Sequence, residues 1–311
     1  MRYRFYTADV FTDHIFGGNQ LAVFPDARGL GAQQMQQVTR EFNLSETVFV
    51  FPPQNPRHTR QLRIFTPGAE VPFAGHPTVG TAYILAAIGA IPLDGELTRI
   101  VFEEGVGPVD VAIRARAGQP VFTQLSAAKL PEFGPPPPPP EVISALLSLD
   151  VSDLLLDAQA PAAISCGMPF LYVPLRDLAA IRRVRLDRGQ WERSLASFWA
   201  QQVYVFTYDT ELSGSHVHAR MFAPALGVDE DAATGAAATA LAGYLGVRDQ
   251  AGSGTLRWVV EQGFEMGRPS ILEVEADKAD GDITAIRVGG STVLVSEGTM
   301  EIPAAPPESV P

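Results

Sequence analysis

Apolar and polar residues alternate over residues 3–10, the period of a strand with one buried face. An apolar run at 21–25 follows the turn signal Gly17-Gly18-Asn19 and predicts a second strand. Over 31–42 the spacing changes, and Met35, Val38 and Phe42 recur at helical intervals. Thr47-Val48-Phe49-Val50-Phe51 is β-branched and aromatic, stops at Pro52-Pro53, and has a natural partner in 61–66. A helix over about 77–89 begins with Pro77 in its first turn, where a missing N–H costs nothing. Strands near 98–103, 108–114 and 120–125 finish the first half. The second half repeats the plan. It reads as a helix near 141–148, strands near 161–166 and 170–175, and a helix near 190–201. Strands over 203–208 and 216–222 and a helix over 234–245 follow, then strands near 256–262, 270–276, 283–288 and 291–296.

The repetition is also written in particular residues. Arg63, Phe65 and Pro67 recur as Arg220, Phe222 and Pro224, each pair 157 positions apart. Each copy then enters a run of small residues with a helical look, one beginning at Gly75-His76-Pro77 and the other at Thr234-Gly235-Ala236. A strand, a turn and a helix N-terminus repeated at half the chain length predict two similar domains facing each other. A cleft between such halves would hold a small anion against two helix N-termini. Gly134 and the six prolines at 135–140 read as a stiff polyproline linker. The expected division is therefore 1–134 and 141–302 about a 135–140 linker, with a disordered Pro/Ala-rich tail over 303–311.

Composition narrows the class. The 311 residues are 46% hydrophobic and 19% charged, enough for two buried cores. A net charge of −12 argues against nucleic acid or an anionic membrane as the main partner. The single cysteine, Cys166, excludes an intramolecular disulfide framework and a cysteine-rich zinc site, and reads as a small core residue. The start Met1-Arg2-Tyr3-Arg4 lacks the apolar stretch of a signal peptide, and no uncharged run is long enough to span a bilayer, so the cytosol is expected.

The candidate chemistry clusters at the two repeated helix starts. Their first N–H groups have no partner within the helix and carry the positive end of its dipole. Gly75, His76, Thr234, Gly235 and Ala236 would offer paired donors to a ligand, or would simply start helices well; neither copy carries the Gly-Lys-Ser/Thr of a nucleotide loop. Glu46, at the mouth of an apolar strand, could be desolvated into a proton carrier or stand as an ordinary strand-end carboxylate. Asp231 precedes the second helix, where it could act on a ligand or cap the helix. His76 could donate, accept or shuttle a proton. His216 and His218 share one strand face with no third ligand near in sequence and read as a solvated face, not a metal site. His14 and His58 carry no signal, and Arg268 could reach a carboxylate or serve as a turn residue.

Five stretches together resemble one family. They are Asn43-Leu44-Ser45-Glu46-Thr47, Phe73-Ala74-Gly75-His76-Pro77, Arg220-Met221-Phe222-Ala223-Pro224, Glu230-Asp231-Ala232-Ala233-Thr234-Gly235 and Gln262-Gly263-Phe264-Glu265-Met266-Gly267-Arg268-Pro269-Ser270. In this order, across residues 3–298, they resemble the PhzF-like family of phenazine-biosynthesis isomerases. The resemblance implies an α+β fold of two diaminopimelate-epimerase-like domains, each a mixed sheet around a central helix, with the active site between them. It also implies a cytoplasmic homodimer that uses no metal or organic cofactor. The family's proton relay in trans-2,3-dihydro-3-hydroxyanthranilate would fall on Glu46, substrate contacts on His76 and Asp231, and helix-start amides on Gly75, His76, Gly235 and Ala236. Related racemases carry a cysteine before each helix start, where this chain has Ala74 and Ala233, so a two-thiol inversion has no acid/base pair here. A one-carboxylate proton shift in a small carboxylate-bearing substrate remains feasible. The alternative is a non-catalytic small-acid binding or regulatory protein that kept the cleft and lost the reaction.

Overall fold

The structure, a computed structural model describing residues 1–303, opens on strand β1 (Arg2–Val10) and continues with β2 (Asn19–Phe24) and helix α1 (Ala32–Phe42). Next come β3 (Glu46–Phe51), β4 (Arg60–Phe65), the short β5 (Glu70–Val71) and helix α2 (Gly75–Ala87). Strands β6 (Leu97–Glu104), β7 (Gly107–Arg116) and β8 (Gln119–Ser126) follow. β1 is antiparallel to β2, β2 parallel to β3, and β3 antiparallel to β4. β4 then splits, antiparallel to β5 over one stretch and parallel to β6 over another. β6, β7 and β8 continue as an antiparallel meander.

The chain continues through β9 (Glu132–Phe133), α3 (Pro140–Leu147), β10 (Ala162–Ser165), β11 (Pro169–Pro174), α4 (Leu178–Arg183) and α5 (Arg188–Ser194). Then follow β12 (Gln202–Thr207), β13 (Val217–Ala223), β14 (Val228–Asp231) and α6 (Gly235–Arg248). β15 (Gly254–Gln262), β16 (Ser270–Ala279), β17 (Asp282–Gly290) and β18 (Thr292–Glu301) end the order. The pairings from β10 to β16 repeat those from β1 to β7 in kind and in sequence: antiparallel, parallel, antiparallel, a split at β13, then antiparallel. β16 and β17 pair as β7 and β8 do. Even the register repeats, Phe65 lying opposite Thr47 and Phe222 opposite Val203.

Two compact units result: Met1–Leu125 with the chain from Gly290, and Ser126–Gly289. The chain from Gly290 joins the first unit because β18 pairs antiparallel with β1 along its whole length. The proline run is used to build the second unit. Pro139 is the N-cap of α3 and Pro140 its first residue, while Gly134 lies so close to Trp199 that a Cβ would come within 2.2 Å of the indole. The helix expected over 190–201 ends at Ser194, and the Trp191 indole N–H closes the following turn on the Gln201 carbonyl at 2.8 Å. Helix α4 and the short strands β5, β9 and β14 had no counterpart in the sequence pattern. Of the expected tail, residues 304–311 lie outside those described.

Each unit has the same core plan. α2 and α6 are buried on nearly every face and made largely of small residues, as a helix enclosed by a sheet must be. On the other sheet face of the first unit, α1 covers Phe24, Phe49 and Phe65; the Phe24 and Phe49 rings stack at 5.1 Å and Phe65 meets Phe49 edge-on at 5.6 Å. In the second unit α3, α4 and α5 cover Val203 and Val205 in the corresponding layer. Among the described residues no helix is long and apolar enough to cross a membrane.

Candidate active site

Glu46 is the first residue of β3, opposite Leu21 of its parallel neighbour β2. α2 packs against β1, β2 and β3, and Gly80 sets the approach: a Cβ there would lie 2.6 Å from side-chain atoms of both Leu21 and Val10. This packing brings His76, the second residue of α2, to Glu46, with His76 Nε2 3.3 Å from Glu46 Oε2. His76 is 5% exposed, and burial pushes its imidazole down to about 3 against the opposing effect of a hydrogen bond with the Gln20 backbone. The ring is therefore neutral at pH 7, and the contact joins a carboxyl group to an uncharged imidazole rather than forming an ion pair. Ser45, one residue earlier, donates to Asn19 Oδ1 at 3.1 Å and ties β3's mouth to β2.

The two helix starts carry no side-chain cap. Ala74, the N-cap of α2, has no polar atom to offer, and Gly75 follows it in the buried first turn. At α6 the N-cap Thr234 turns its hydroxyl away, donating to Asp231 Oδ2 at 2.6 Å. Gln262, fully buried at the end of β15, holds this turn. Its amide donates to the Asp231 carbonyl at 2.8 Å and to Thr234 Oγ1 at 3.0 Å, and its Oε1 accepts from the Tyr204 hydroxyl at 3.1 Å. Asp231, Thr234, Gly235 and Ala236 are thus gathered at one helix start. Sequence reasoning missed Gln262, although it heads the Gln262–Ser270 stretch.

The repeated motif does the same work in both units. Arg63 grips Glu70 with two hydrogen bonds of 2.7 and 2.6 Å and lies over the Phe65 ring. Arg220 grips Glu230 at 2.7 and 2.8 Å over Phe222. The residue before Gln262 and its counterpart also match: Glu103 accepts from the amides of Gln54 and Asn55, and Glu261 from those of Glu211 and Leu212.

Two buried groups were not anticipated. Glu104, at the end of β6, accepts from Thr78 Oγ1 at 2.7 Å, while burial, outweighing that bond, pushes its carboxyl up to about 8. His218 corrects the reading of a solvated face. It is fully buried, its Nδ1 2.8 Å from Glu261 and its Nε2 3.1 Å from Glu265. Burial would discharge the ring, but the two carboxylates prevail and raise it to about 9. The error has a physical cause: β13 is covered on both faces, so alternation gives its residues no wet side. His216 lies at the strand's exposed entry and accepts from the Val259 amide. Among the described residues no three His, Cys, Asp or Glu side chains converge as metal ligands. Cys166 is half-buried, its thiol pushed up to about 12 by burial.

Comparison with known proteins is consistent along the whole length. The profile of the PhzC-PhzF family, described as phenazine biosynthesis-like protein, matches residues 8–298. An uncharacterized isomerase of Mesorhizobium japonicum is 40% identical over 94% of this chain and 97% of its own. The trans-2,3-dihydro-3-hydroxyanthranilate isomerase of Pseudomonas aeruginosa is 34% identical over 95% of this chain and 98% of its own. A PhzF-family phenazine biosynthesis protein of Bacillus anthracis, 24% identical, has the same fold, with a TM-score of 0.87 covering 97% of this chain and 100% of that one.

Proposed function

The chain belongs to the phenazine biosynthesis-like PhzC-PhzF family and is an isomerase, and we propose that its reaction is a cofactor-independent shift of a proton, and with it a double bond, in a small carboxylate. Glu46 is the acid/base. As carboxylate it takes a proton from a saturated carbon beside an unsaturated system; the C–H electron pair becomes the new double bond, and the electron pair of the old double bond is pushed onto the far carbon, where it forms the new C–H bond. As carboxylic acid it then returns the same proton to the far carbon, so charge and atoms balance with no second base.

The observation that carries this reading is the buried 3.3 Å contact between Glu46 and a neutral His76 at the start of α2. An uncharged imidazole leaves the carboxylate available as a base, where an imidazolium would hold it as a weak ion-pair partner. Ala74 and Ala233 supply no thiol, which supports a one-base mechanism over a two-base inversion. Substrate contacts are assigned to His76 and Asp231, and carboxylate binding to the uncapped amides of Gly75, Gly235 and Ala236. The working protein is read as a cytoplasmic homodimer acting on small molecules, for which light scattering should give twice the chain mass.

Glu46→Gln keeps the shape and removes the proton acceptor. Turnover of a dihydro-hydroxyanthranilate or another unsaturated carboxylate should fall by at least a factor of ~10³, the order expected when an acid/base group is lost, with folding and ligand binding retained. A variant with full activity would remove Glu46 from the chemistry.

A further inference from the structure

The internal repeat identifies a second position like that of Glu46. Thr47 lies opposite Phe65 and Val203 opposite Phe222, so the preceding strand residues, Glu46 and Gln202, are equivalent. The parallel neighbours agree, Leu21 facing Glu46 and Phe170 facing Gln202. In the first unit this position meets His76, the second residue of α2; the second residue of α6 is Ala236. Where one helix offers an imidazole, the other offers a methyl group.

Gln202 is 6% exposed, and its Oε1 is buried with no hydrogen-bond partner among the described residues. A buried amide oxygen left without a donor costs about 1–3 kcal/mol, so its retention calls for a partner that arrives from outside the chain. Its direction follows from strand alternation. Gln202 shares a face with Tyr204 and Phe206, and Phe206 packs edge-on against Tyr244 of α6 at 5.3 Å. One pair along, Tyr172 lies opposite Tyr204 and donates to the Ala237 carbonyl in the first turn of α6 at 2.7 Å. The step from that pair to Phe170 and Gln202 leads past Ala237 toward the helix start, as the step from Val23 and Val48 to Leu21 and Glu46 leads to His76.

We propose that Gln202 is a specificity-determining residue. Its Oε1 accepts a hydrogen bond from an amino or hydroxyl group of the substrate, on the atom next to the one bearing the carboxylate that the Gly235 and Ala236 amides hold. The ligand class is then a small carboxylate with a neighbouring hydrogen-bond donor, not a bare acid. This assignment rests on the reading of α6's first turn as a carboxylate site.

Anthranilate and benzoate differ by one amino group and test it by calorimetric titration. The wild type should bind anthranilate about tenfold more tightly, the order of one buried hydrogen bond. Gln202→Met, matched in length and without an acceptor, should bind the two alike, and Gln202→Glu, which restores an acceptor, should recover the preference. Glu46→Gln should keep the preference while losing turnover. A preference for anthranilate that survives in Gln202→Met would overturn the assignment alone. Failure of the wild type to bind either acid would overturn it together with the carboxylate site it rests on.

Discussion

Glu104→Gln should make the protein more stable at pH 8 than the wild type and leave it little changed at pH 5. In the folded chain the carboxyl sits at about 8 because burial disfavours its charge; in the unfolded chain it returns to about 4.5. The folded state therefore binds the proton more tightly. The stabilisation is fully present below pH 4.5 and is lost as pH rises toward 8. At about 1.4 kcal/mol for each unit of pH, the loss reaches roughly 5 kcal/mol by pH 8. Glutamine fits the place, since Gln262 occupies the equivalent position one residue after Glu261, as Glu104 follows Glu103. It can also keep the acceptor for Thr78. Any constant cost of the amide offsets the whole curve without changing its slope. The assay is urea unfolding of both proteins at pH 5, 6, 7 and 8, read as the difference between them. Identical pH slopes would show that Glu104 ionises in the folded chain as it does in water, and the reasoning would fail.

Burial separates the two arginine–glutamate pairs of the repeated motif. Arg220→Ala, which removes a buried guanidinium and leaves the part-buried Glu230 unpaired, should cost about 3–5 kcal/mol, whereas Arg63→Ala, at a partly exposed pair, should cost nearer ~1 kcal/mol, as thermal unfolding would show. His218 gives a pH effect of its own. Its folded value of about 9 against an ordinary 6.5 means stability present below pH 6.5 and lost by roughly 3 kcal/mol as pH rises to 9. Denaturation of His218→Gln against wild type over pH 6–9 should show that slope in the wild type only.

Much of this was legible because the two halves still share residues. Arg63 and Arg220, or Phe65 and Phe222, are identical and equally spaced, and both pairs do the same job in the fold. The strands of both halves were legible from β-branched and aromatic runs, which fit a buried pleated surface. The equivalence of Glu46 and Gln202 was not, because the residues differ and only backbone register reveals it. Glu104 and His218 escaped for a related reason. Glu104 is shifted by burial and His218, against its burial, by Glu261 and Glu265, 43 and 47 positions away in the chain, and neither is visible in the local pattern. The return of β18 to β1 joins residues almost 300 apart, and nothing in either strand's pattern names the other as its partner. The proline run, expected as a linker, leads into α3, because Pro139 and Pro140 suit a helix start, and nothing in the run itself names that helix.

The central claim is that Glu46 carries one proton from carbon to carbon. Solvent deuterium incorporation tests it most directly: wild type and Glu46→Gln are incubated in D₂O with a dihydro-hydroxyanthranilate and a set of unsaturated and amino carboxylates, and the products are read by mass spectrometry and NMR. Double-bond movement with the wild type, with the substrate's own proton and not solvent deuterium at the receiving carbon, and no product with Glu46→Gln, is the predicted result. Equal product from both proteins, or solvent deuterium in place of the transferred proton in the wild-type product, would contradict it.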